Sequence, residues 1–206
     1  MRDPFAPPLM YWVRHGYTEE NEDRIFRGLA DYPLNDDGVA AAEEAANFLS
    51  FRTIGRVSSS TALRTVQTAT IIAQDFDRNP LLLCWNIGDF DGLPRSKYQK
   101  DFQRYIDDRD LVIPNGESLN QFFQIKEQVL NQYIAEASYS QPPVLVTHSS
   151  TIRAFAELTR PDLYEYDDDN LVLPGGIIAV YLGQNGVFEI EPVLGEVLTE
   201  QDARVS

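Results

Sequence analysis

Residues 9–21 read Leu-Met-Tyr-Trp-Val-Arg-His-Gly-Tyr-Thr-Glu-Glu-Asn. The five apolar residues that open this stretch predict a buried strand, because they are rich in aromatic and β-branched types. The strand pattern ends at Gly16, so Arg14 and His15 lie at its carboxyl end, the edge where open α/β sheets bind ligands. Arginine offers a planar fork of donors to a phosphate, and an unprotonated imidazole can attack phosphorus. A lone histidine can equally just close a strand, so later segments decide between the two roles.

Strand patterns alternate with helical patterns along the rest of the chain. Strands are predicted at residues 9–13, 56–59, 81–85, 144–147, 177–182 and 187–190. Helices are predicted at residues 36–50, from Ser60 or Thr61 to about Gln74, 95–109, from Glu117 or Ser118 to Ala137, and 149–158. This alternation predicts an α/β fold: a three-layer sandwich with a mostly parallel central sheet and helices on both faces.

The length of 206 residues predicts one domain with enough chain for a substantial core. Residues 1–8 are expected to be a disordered lead-in, residues 9–194 the single domain, and residues 195–206 a polar tail. Asn35 is the expected N-cap of the first long helix, and residues 183–186 are the expected turn of a hairpin.

The composition is acidic, with 17 Lys and Arg against 32 Asp and Glu and a formal net charge of −15. Nucleic acid and anionic membrane surfaces are therefore not expected partners, although a small phosphorylated metabolite can still enter a local basic pocket. Cys84 is the only cysteine, which predicts a reducing compartment and a cytoplasmic location. We expect no signal peptide and no membrane-spanning segment, and no oligomeric state is predicted.

The chain has two histidines, and each one follows an apolar strand pattern. His148 comes directly after the strand predicted at 144–147, and Arg64 follows the strand predicted at 56–59 near the start of a helix. Because parallel strands end at the same edge, we expect Arg14, His15, Arg64 and His148 to form one cationic cluster. Buried charges without partners are costly, so a bound phosphate is the expected partner of the cluster.

Six motifs in order resemble those of the histidine phosphatase superfamily, in its phosphoglycerate mutase-like branch. Residues 14–21 match R-H-G-x-T-x-x-N, the signature of that family. Further similarities follow in the family's order, at residues 28–38 (G-x-x-D-x-P-L-x-x-x-G), 59–69 (S-S-x-x-x-R-x-x-Q-T-A), 88–92 (G-x-W-E-G), 114–118 (P-x-G-E-S) and 147–153 (G-H-S-x-x-I-R). The resemblance extends from residue 9 to about residue 182, nearly the whole expected domain.

The resemblance implies a phosphohistidine mechanism, and the residue types suit it. His15 is the implied nucleophile, and Arg14, Arg64 and His148 are implied to hold the phosphoryl oxygens. Asn21 and the backbone N–H of Ser149 are implied further donors to the phosphate. No metal or cofactor is expected, because side chains supply the positive charge.

The sequence departs from the family at the position of the usual proton-donating glutamate, which is Cys84 here. Asp89, Asp91 and Glu117 are candidates to replace that acid, alongside the thiol itself, although solvated loop charges are the simpler interpretation of each. Loss of a general acid is typically worth about 10²–10⁴-fold in rate, so a slow phosphatase, or one limited to good leaving groups, is expected.

The interpretation that the sequence favours is a metal-independent phosphatase of small phosphorylated metabolites. One alternative is a phosphoglycerate mutase-type phosphotransferase, but the segment between Gly88 and Gly116 is short for such a mutase. A second alternative is a catalytically weak phosphate-binding regulator that has lost its acid. A cysteine phosphatase is excluded by spacing, because Phe90 and not arginine lies six residues after Cys84.

Overall fold

The computed structural model describes residues 6–166, 171–183 and 186–196, which form an α/β fold around one mixed six-stranded sheet. The strands are β1 (Met10–Arg14), β2 (Val57–Ser59), β3 (Asp77–Arg78), β4 (Val144–Thr147), β5 (Val172–Leu182) and β6 (Phe188–Glu196). Their order across the sheet is β3-β2-β4-β1-β5-β6. The first four strands are parallel, whereas β5 runs antiparallel to β1 and β6 antiparallel to β5.

Helices cover both faces of the sheet, as predicted. They are α1 (Glu19–Glu22), α2 (Asp36–Ser50), α3 (Leu63–Ile72), α4 (Arg95–Asp107), α5 (Leu119–Glu136) and α6 (Ser149–Thr159). Side chains of α5 and α6 pack on one face, and side chains of α2 and α3 pack on the other. Among the described residues, no helix is both long and apolar enough to cross a membrane.

The opening strand β1 lies inside the sheet, between β4 and β5, and every one of its side chains is buried. Met10 and Trp12 belong to the apolar cluster formed with α5 and α6, while Tyr11 and Val13 belong to the cluster formed with α2 and α3. This alternation is the period of two that a strand imposes on its side chains. Because helices cover both faces of the sheet at β1, all of its successive side chains from Met10 to Val13 are apolar rather than every second one.

The predicted starts of α2, α4 and α6 are confirmed, that of α5 lies one residue from the observed start, and that of α3 is wrong. The Asn35 side chain accepts the Gly38 N–H at 2.8 Å, and Ser118 caps α5 in the same way. Before α3, neither Ser60 nor Thr61 is the cap residue, because Ala62 occupies that position. The first N–H group of α3 instead donates to the carboxylate of Asp31 at 2.6 Å. A cap supplied from a distant loop leaves no local signal in the sequence.

The strand predicted at residues 81–85 does not form. Pro80–Leu82 is a 3₁₀ turn, and the edge strand next to β2 is β3 instead. The backbone carbonyls of this segment bond to side chains rather than to a neighbouring strand: the Lys126 ammonium donates to Leu81 and Leu83, each at 2.6 Å, and the Thr147 hydroxyl donates to Leu82 at 2.7 Å. An apolar run can be buried without joining the sheet.

The predicted hairpin is confirmed as the antiparallel pair of β5 and β6, although both strands are longer than predicted. Residues 184 and 185 of its turn lie outside the described residues. So do residues 1–5 of the expected lead-in and residues 197–206 of the expected tail, and β6 ends at Glu196. The division of the chain at residues 8 and 194 therefore stays a prediction.

Candidate active site

The four side chains predicted to cluster line one cavity of about 600 Å³. The register of the parallel pair β1–β4 aligns Arg14 with Thr147, so the residues that follow, His15 and His148, leave the sheet at the same level. The two imidazole ring centroids are 5.3 Å apart in an edge-to-face arrangement. Arg64 reaches the same cavity from the first turn of α3 and is only 1% exposed.

One ring nitrogen of His15 is hydrogen-bonded to the backbone, which leaves the other to act as a nucleophile. Its Nδ1 lies 2.7 Å from the backbone carbonyl of Gly16, which can only accept, so Nδ1 carries the hydrogen and Nε2 the lone pair. Burial lowers the pKa of His15 well below its ordinary value, and the positive charges of Arg64 and Arg14 lower it further. The ring is therefore neutral and available as a nucleophile near neutral pH.

The turn that positions His15 depends on two glycines in contact. A Cβ placed on Gly16 would lie 2.2 Å from the carbonyl oxygen of Gly38, at the start of α2. The Gly16 N–H donates to the Thr68 hydroxyl at 3.1 Å, which ties the same turn to α3. The glycine of the opening motif is thus needed for close packing of the backbone against α2.

His148 presents a nitrogen with no protein partner. Its Nε2 lies 2.8 Å from the Ser60 hydroxyl, while its buried Nδ1 has no hydrogen-bond partner. When Ser60 donates to Nε2, the hydrogen sits on Nδ1 and needs an acceptor. Burial lowers the pKa of His148 well below its ordinary value, with Arg64 and His15 acting in the same direction. The neutral His148 ring can therefore donate a hydrogen bond from Nδ1 to an anion in the cavity.

The two inner arginines are buried, and no carboxylate among the described residues is bonded to them. Arg14 donates to the Val172 carbonyl at 2.9 Å, and Arg64 donates to the carbonyls of Ala30 and Gly28 at 3.0 and 3.1 Å. The Nε of each arginine is buried without a partner. Burial, together with nearby arginines, lowers the pKa of Arg14 to about 9. Orphaned charged donors of this kind call for an anionic ligand.

Asn21 and Ser149 also line the cavity, as the resemblance implies. The amide oxygen of Asn21 accepts the backbone N–H of Thr18 at 3.0 Å, so the NH₂ end of the amide is the end it can offer to an anion. Ser149 is the first residue of α6, where backbone N–H groups have no partner within the helix. Both residues add donors to the cavity.

Cys84 lines the cavity, but its thiol is already engaged. Its Sγ donates to the Gly28 carbonyl at 3.0 Å and lies 3.5 Å from an Arg64 nitrogen. Burial raises the pKa of the thiol, so Cys84 is neutral. A neutral thiol that points its hydrogen at a carbonyl is a poor source of protons for a leaving group.

The other three candidate proton donors do not line the cavity. Asp91 accepts the backbone N–H groups of Gly28 and Ala30 at 2.9 and 2.8 Å, and so shapes the loop above Cys84. Glu117 accepts the Asn86 N–H at 2.9 Å, and burial raises its pKa. Asp89 binds an asparagine side chain on the exposed surface. Among the described residues, no Asp or Glu contributes to the cavity wall.

Four further arginines line the same cavity, and the sequence analysis missed them as a group. This outer arginine cluster consists of Arg24, Arg27, Arg95 and Arg153. Arg153 lies in the last motif, but the other three are in a loop and a helix start with no local signal for chemistry. No cluster of three or more His, Cys, Asp or Glu side chains able to hold a metal is found within the described part of the chain.

Comparison with known proteins places these features in a family. The model of the histidine phosphatase superfamily (branch 1) matches residues 10–172. The chain belongs to the histidine phosphatase superfamily.

Two relatives by sequence carry phosphoglycerate mutase names. The chain is 34% identical over 148 residues to the probable phosphoglycerate mutase GpmB of Proteus mirabilis, which covers 68% of each chain. It is 33% identical over 161 residues to phosphoglycerate mutase-like protein 4 of Arabidopsis thaliana, covering 72% of this chain and 70% of that protein.

Solved structures share the fold. A mycobacterial glucosyl-3-phosphoglycerate phosphatase in complex with VO₃ superimposes with a TM-score of 0.75 at 21% identity, covering 91% of this chain and 98% of that one. A phosphoglycerate mutase from Thermus thermophilus gives a TM-score of 0.68 at 24% identity, covering 92% and 99%. At these identities the likeness establishes the fold alone.

Proposed function

We propose that this histidine phosphatase superfamily member is a metal-independent phosphatase of small phosphorylated compounds, with His15 as its nucleophile. The observation that carries the proposal is the bare Nε2 of a neutral His15 beside three orphaned donors: Arg14 Nε, Arg64 Nε and His148 Nδ1. A tetrahedral anion satisfies all of these groups at once. The cavity of about 600 Å³ has room for a small organic phosphate.

The proposed reaction has two steps. His15 Nε2 attacks phosphorus while Arg14, Arg64 and His148 hold the oxygens on which charge develops. The P–O bond to the leaving group breaks and a phosphohistidine forms. Water then attacks the same phosphorus, the P–N bond breaks, and inorganic phosphate leaves with His15 restored. Positive charge from side chains takes the place that a metal ion has in other phosphatases.

Hydrolysis is favoured over transfer to a second hydroxyl. The segment between Gly88 and Gly116 contains only α4 and short loops, which leaves little chain to enclose a substrate while its phosphate is transferred. The mutase names of the relatives keep phosphate transfer as the rival activity. An assay that follows both inorganic phosphate and a phosphorylated acceptor alcohol separates the two.

The expected setting is the cytoplasm, with no nucleic acid or membrane as partner. This part of the proposal is supported by the single cysteine and the net charge of −15.

The experiment that tests the function is trapping of the phosphoenzyme. The wild-type protein, mixed with ³²P-labelled phenyl phosphate and quenched in base, should retain a label that acid removes, as a phosphohistidine does. His15→Ala should retain no label and should lose at least about 10³-fold in kcat, because the covalent route is closed. His148→Ala is the matched control: it should slow labelling yet still accumulate label. Turnover at the wild-type rate in His15→Ala would refute the nucleophile.

A further inference from the structure

The cavity holds far more positive charge than one phosphoryl group needs. Six arginines line it, the inner pair Arg14 and Arg64 and the four of the outer arginine cluster, and no Asp or Glu does so among the described residues. The whole chain has 17 Lys and Arg against 32 Asp and Glu. A concentration of arginine in one cavity of so acidic a protein points to a ligand with more than one anionic group.

The outer arginines are held in place before any ligand arrives. The Arg95 guanidinium lies over the Phe26 ring at 4.4 Å from its centroid, and the Arg153 guanidinium lies over the Tyr166 ring at 4.7 Å. Arg27 donates to the Glu20 backbone carbonyl at 2.8 Å. A ring contact such as that of Arg95, or a bond to a backbone carbonyl such as that of Arg27, fixes a guanidinium and leaves its positive charge in place.

The outer arginines also repel one another. Burial lowers the pKa of Arg27 to about 10, and the charges of Arg95 and Arg64 contribute to that shift while the Glu20 carboxylate acts against it. The pKa of Arg95 is likewise lowered by burial and by Arg153. The fold therefore holds these like charges close together at a cost in free energy, and a second anion in the cavity would relieve that cost.

The charge balance separates the inner and outer parts of the cavity. Arg14 and Arg64 offset the roughly two negative charges of one phosphoryl group at neutral pH, while the neutral rings of His15 and His148 add none. The positive charge of Arg95, and that of Arg27 beyond what the nearby Glu20 carboxylate offsets, is then in excess of what that phosphoryl group balances. A second phosphate or a carboxylate on the substrate would offset it.

The chemistry of the leaving group favours a second phosphate over a carboxylate as the second anion of the substrate. Because the Cys84 thiol donates to the Gly28 carbonyl and no carboxylate of the described residues lines the cavity, neither a thiol nor a carboxyl group is placed to give the leaving oxygen a proton. An alkoxide is about as poor a leaving group as hydroxide, whose parent water has a pKa of about 15.7. A phosphate monoester has a second pKa of about 6 and leaves readily as an anion. A remote carboxylate would bind the arginines but would not improve the leaving group.

We propose that the substrate is a small organic phosphoanhydride, whose terminal phosphoryl group is transferred to His15 while its inner phosphate leaves against the outer arginine cluster. This inference rests on the proposed function. It explains both unusual features of the cavity together, the missing acid and the surplus of arginine.

The step balances without any further reactant. The P–N bond to His15 Nε2 forms as the bridging P–O bond breaks, and its electron pair stays on the inner phosphate, which departs as an organic monophosphate. Water then forms a P–O bond as the P–N bond breaks, and its released proton passes to solvent. The sum is one phosphoanhydride plus water giving one organic monophosphate and one inorganic phosphate.

Three compounds test the proposal: methyl diphosphate, methyl phosphate and phenyl phosphate. Methyl diphosphate should be hydrolysed with a kcat/KM at least about 10²-fold above that of methyl phosphate, since its leaving group needs no acid. Phenyl phosphate, with a fair leaving group but a single anion, should fall between them. Phosphoglycolate, which pairs an alkyl phosphate with a carboxylate, represents the rival class of substrate. Its carboxylate can lower KM by binding the arginines, but its kcat should be as low as that of methyl phosphate, because the leaving group is no better.

Arginine variants locate the effect. Arg95→Gln and Arg27→Gln should each lower kcat/KM for methyl diphosphate roughly 10- to 100-fold, the value of one charged contact, and lower it less for phenyl phosphate. Arg95→Lys should recover part of the loss, which separates lost charge from a disturbed fold. Arg104→Gln, on the exposed side of the same helix, is the matched control and should change neither activity.

The same assays distinguish a wrong substrate class from a wrong proposed function. If phenyl phosphate is hydrolysed through His15 but methyl diphosphate is no better than methyl phosphate, the anhydride assignment is overturned and the phosphatase stands. A preference for phosphoglycolate overturns it as well. If none of the compounds is hydrolysed and no phosphohistidine forms, both proposals fall.

Discussion

The inner and outer walls of the cavity are built in different ways. Each of the inner residues Arg14, His15, Arg64 and His148 ends or directly follows a parallel strand, or lies in the first turn of the helix after one, and each is at most 4% exposed. The outer arginine cluster comes from the loop after α1, the start of α4 and the middle of α6, and its members are half-buried or exposed. Strand register positions the inner wall, whereas ring contacts and loop conformations position the outer one. A rigid inner wall is suited to holding the reacting groups, and a wall built from loops is suited to selecting the substrate.

Among the arginine exchanges, the largest predicted effect comes from a charge-preserving change in the inner wall. Arg64→Lys keeps the positive charge but cannot reproduce the two bonds to the Ala30 and Gly28 carbonyls, nor the Nε–H that is left to bind an anion. We expect kcat/KM to fall roughly 10²–10³-fold for every substrate, the usual loss for one preorganised donor to a transition state. Steady-state rates with phenyl phosphate and methyl diphosphate measure it.

The same exchange in the outer wall gives the contrast. Arg95→Lys should cost less than Arg64→Lys for both compounds, because the outer wall binds the leaving group and not the reacting phosphoryl oxygens. Urea unfolding of both variants checks that each retains the native fold. Equal losses in the two variants would mean that the walls do not differ in role.

The next effect in size comes from returning a carboxyl group to the inner wall. Cys84→Glu would place an acid where the family usually has one, and Cys84→Gln has nearly the same shape without a proton to give. We expect Cys84→Glu to raise kcat on methyl phosphate by roughly tenfold or more, at the low end of general-acid catalysis, and to raise it less on phenyl phosphate. An equal gain with Cys84→Gln would show that packing, and not proton transfer, limits the rate.

The parts of the fold that the sequence predicts well are those with local causes. The helix predicted at 36–50 and the strand at 144–147 have those same bounds in the structure, since capping, helix propensity and an apolar run all act within a few residues. The strand predicted at 81–85 is wrong because Lys126 and Thr147, both distant in sequence, donate hydrogen bonds to the backbone carbonyls of this segment. Local patterns cannot reveal such long-range contacts.

In the candidate site too, the residues positioned by local patterns were predictable and those positioned by long-range contacts were not. The clustering of His15 and His148 was predictable, because both follow strands that pair in parallel. The positions of Asp91 and Glu117 were not, since loop backbone N–H groups bind these carboxylates outside the cavity wall. The outer arginine cluster was missed for a related reason: loops and helix ends bring its members together, and arginine in such segments is ordinarily a solvated surface residue.

The smallest predicted effect concerns stability and pH, and it also depends on the inner wall. In the folded protein, burial and the neighbouring arginines hold the pKa values of His15 and His148 well below the ordinary 6.5. As pH falls through about 6.5, the unfolded chain binds protons at these positions while the folded protein does not, so stability decreases. The slope from each histidine is at most about 1.4 kcal/mol per pH unit, and it persists down to the folded pKa values.

Urea unfolding at pH 8, 7, 6 and 5.5 measures this slope, and the double variant His15→Asn, His148→Asn isolates its source. Carboxylates such as Glu117 titrate in both proteins, so the difference between the two curves reports the histidines alone. The native protein should lose stability relative to the double variant as pH falls from 7 to 5.5, with little relative change between pH 8 and 7. Saturating vanadate should reduce the loss, because a bound anion favours the protonated form of His148. Parallel curves would contradict the buried, neutral pair on which the nucleophile depends.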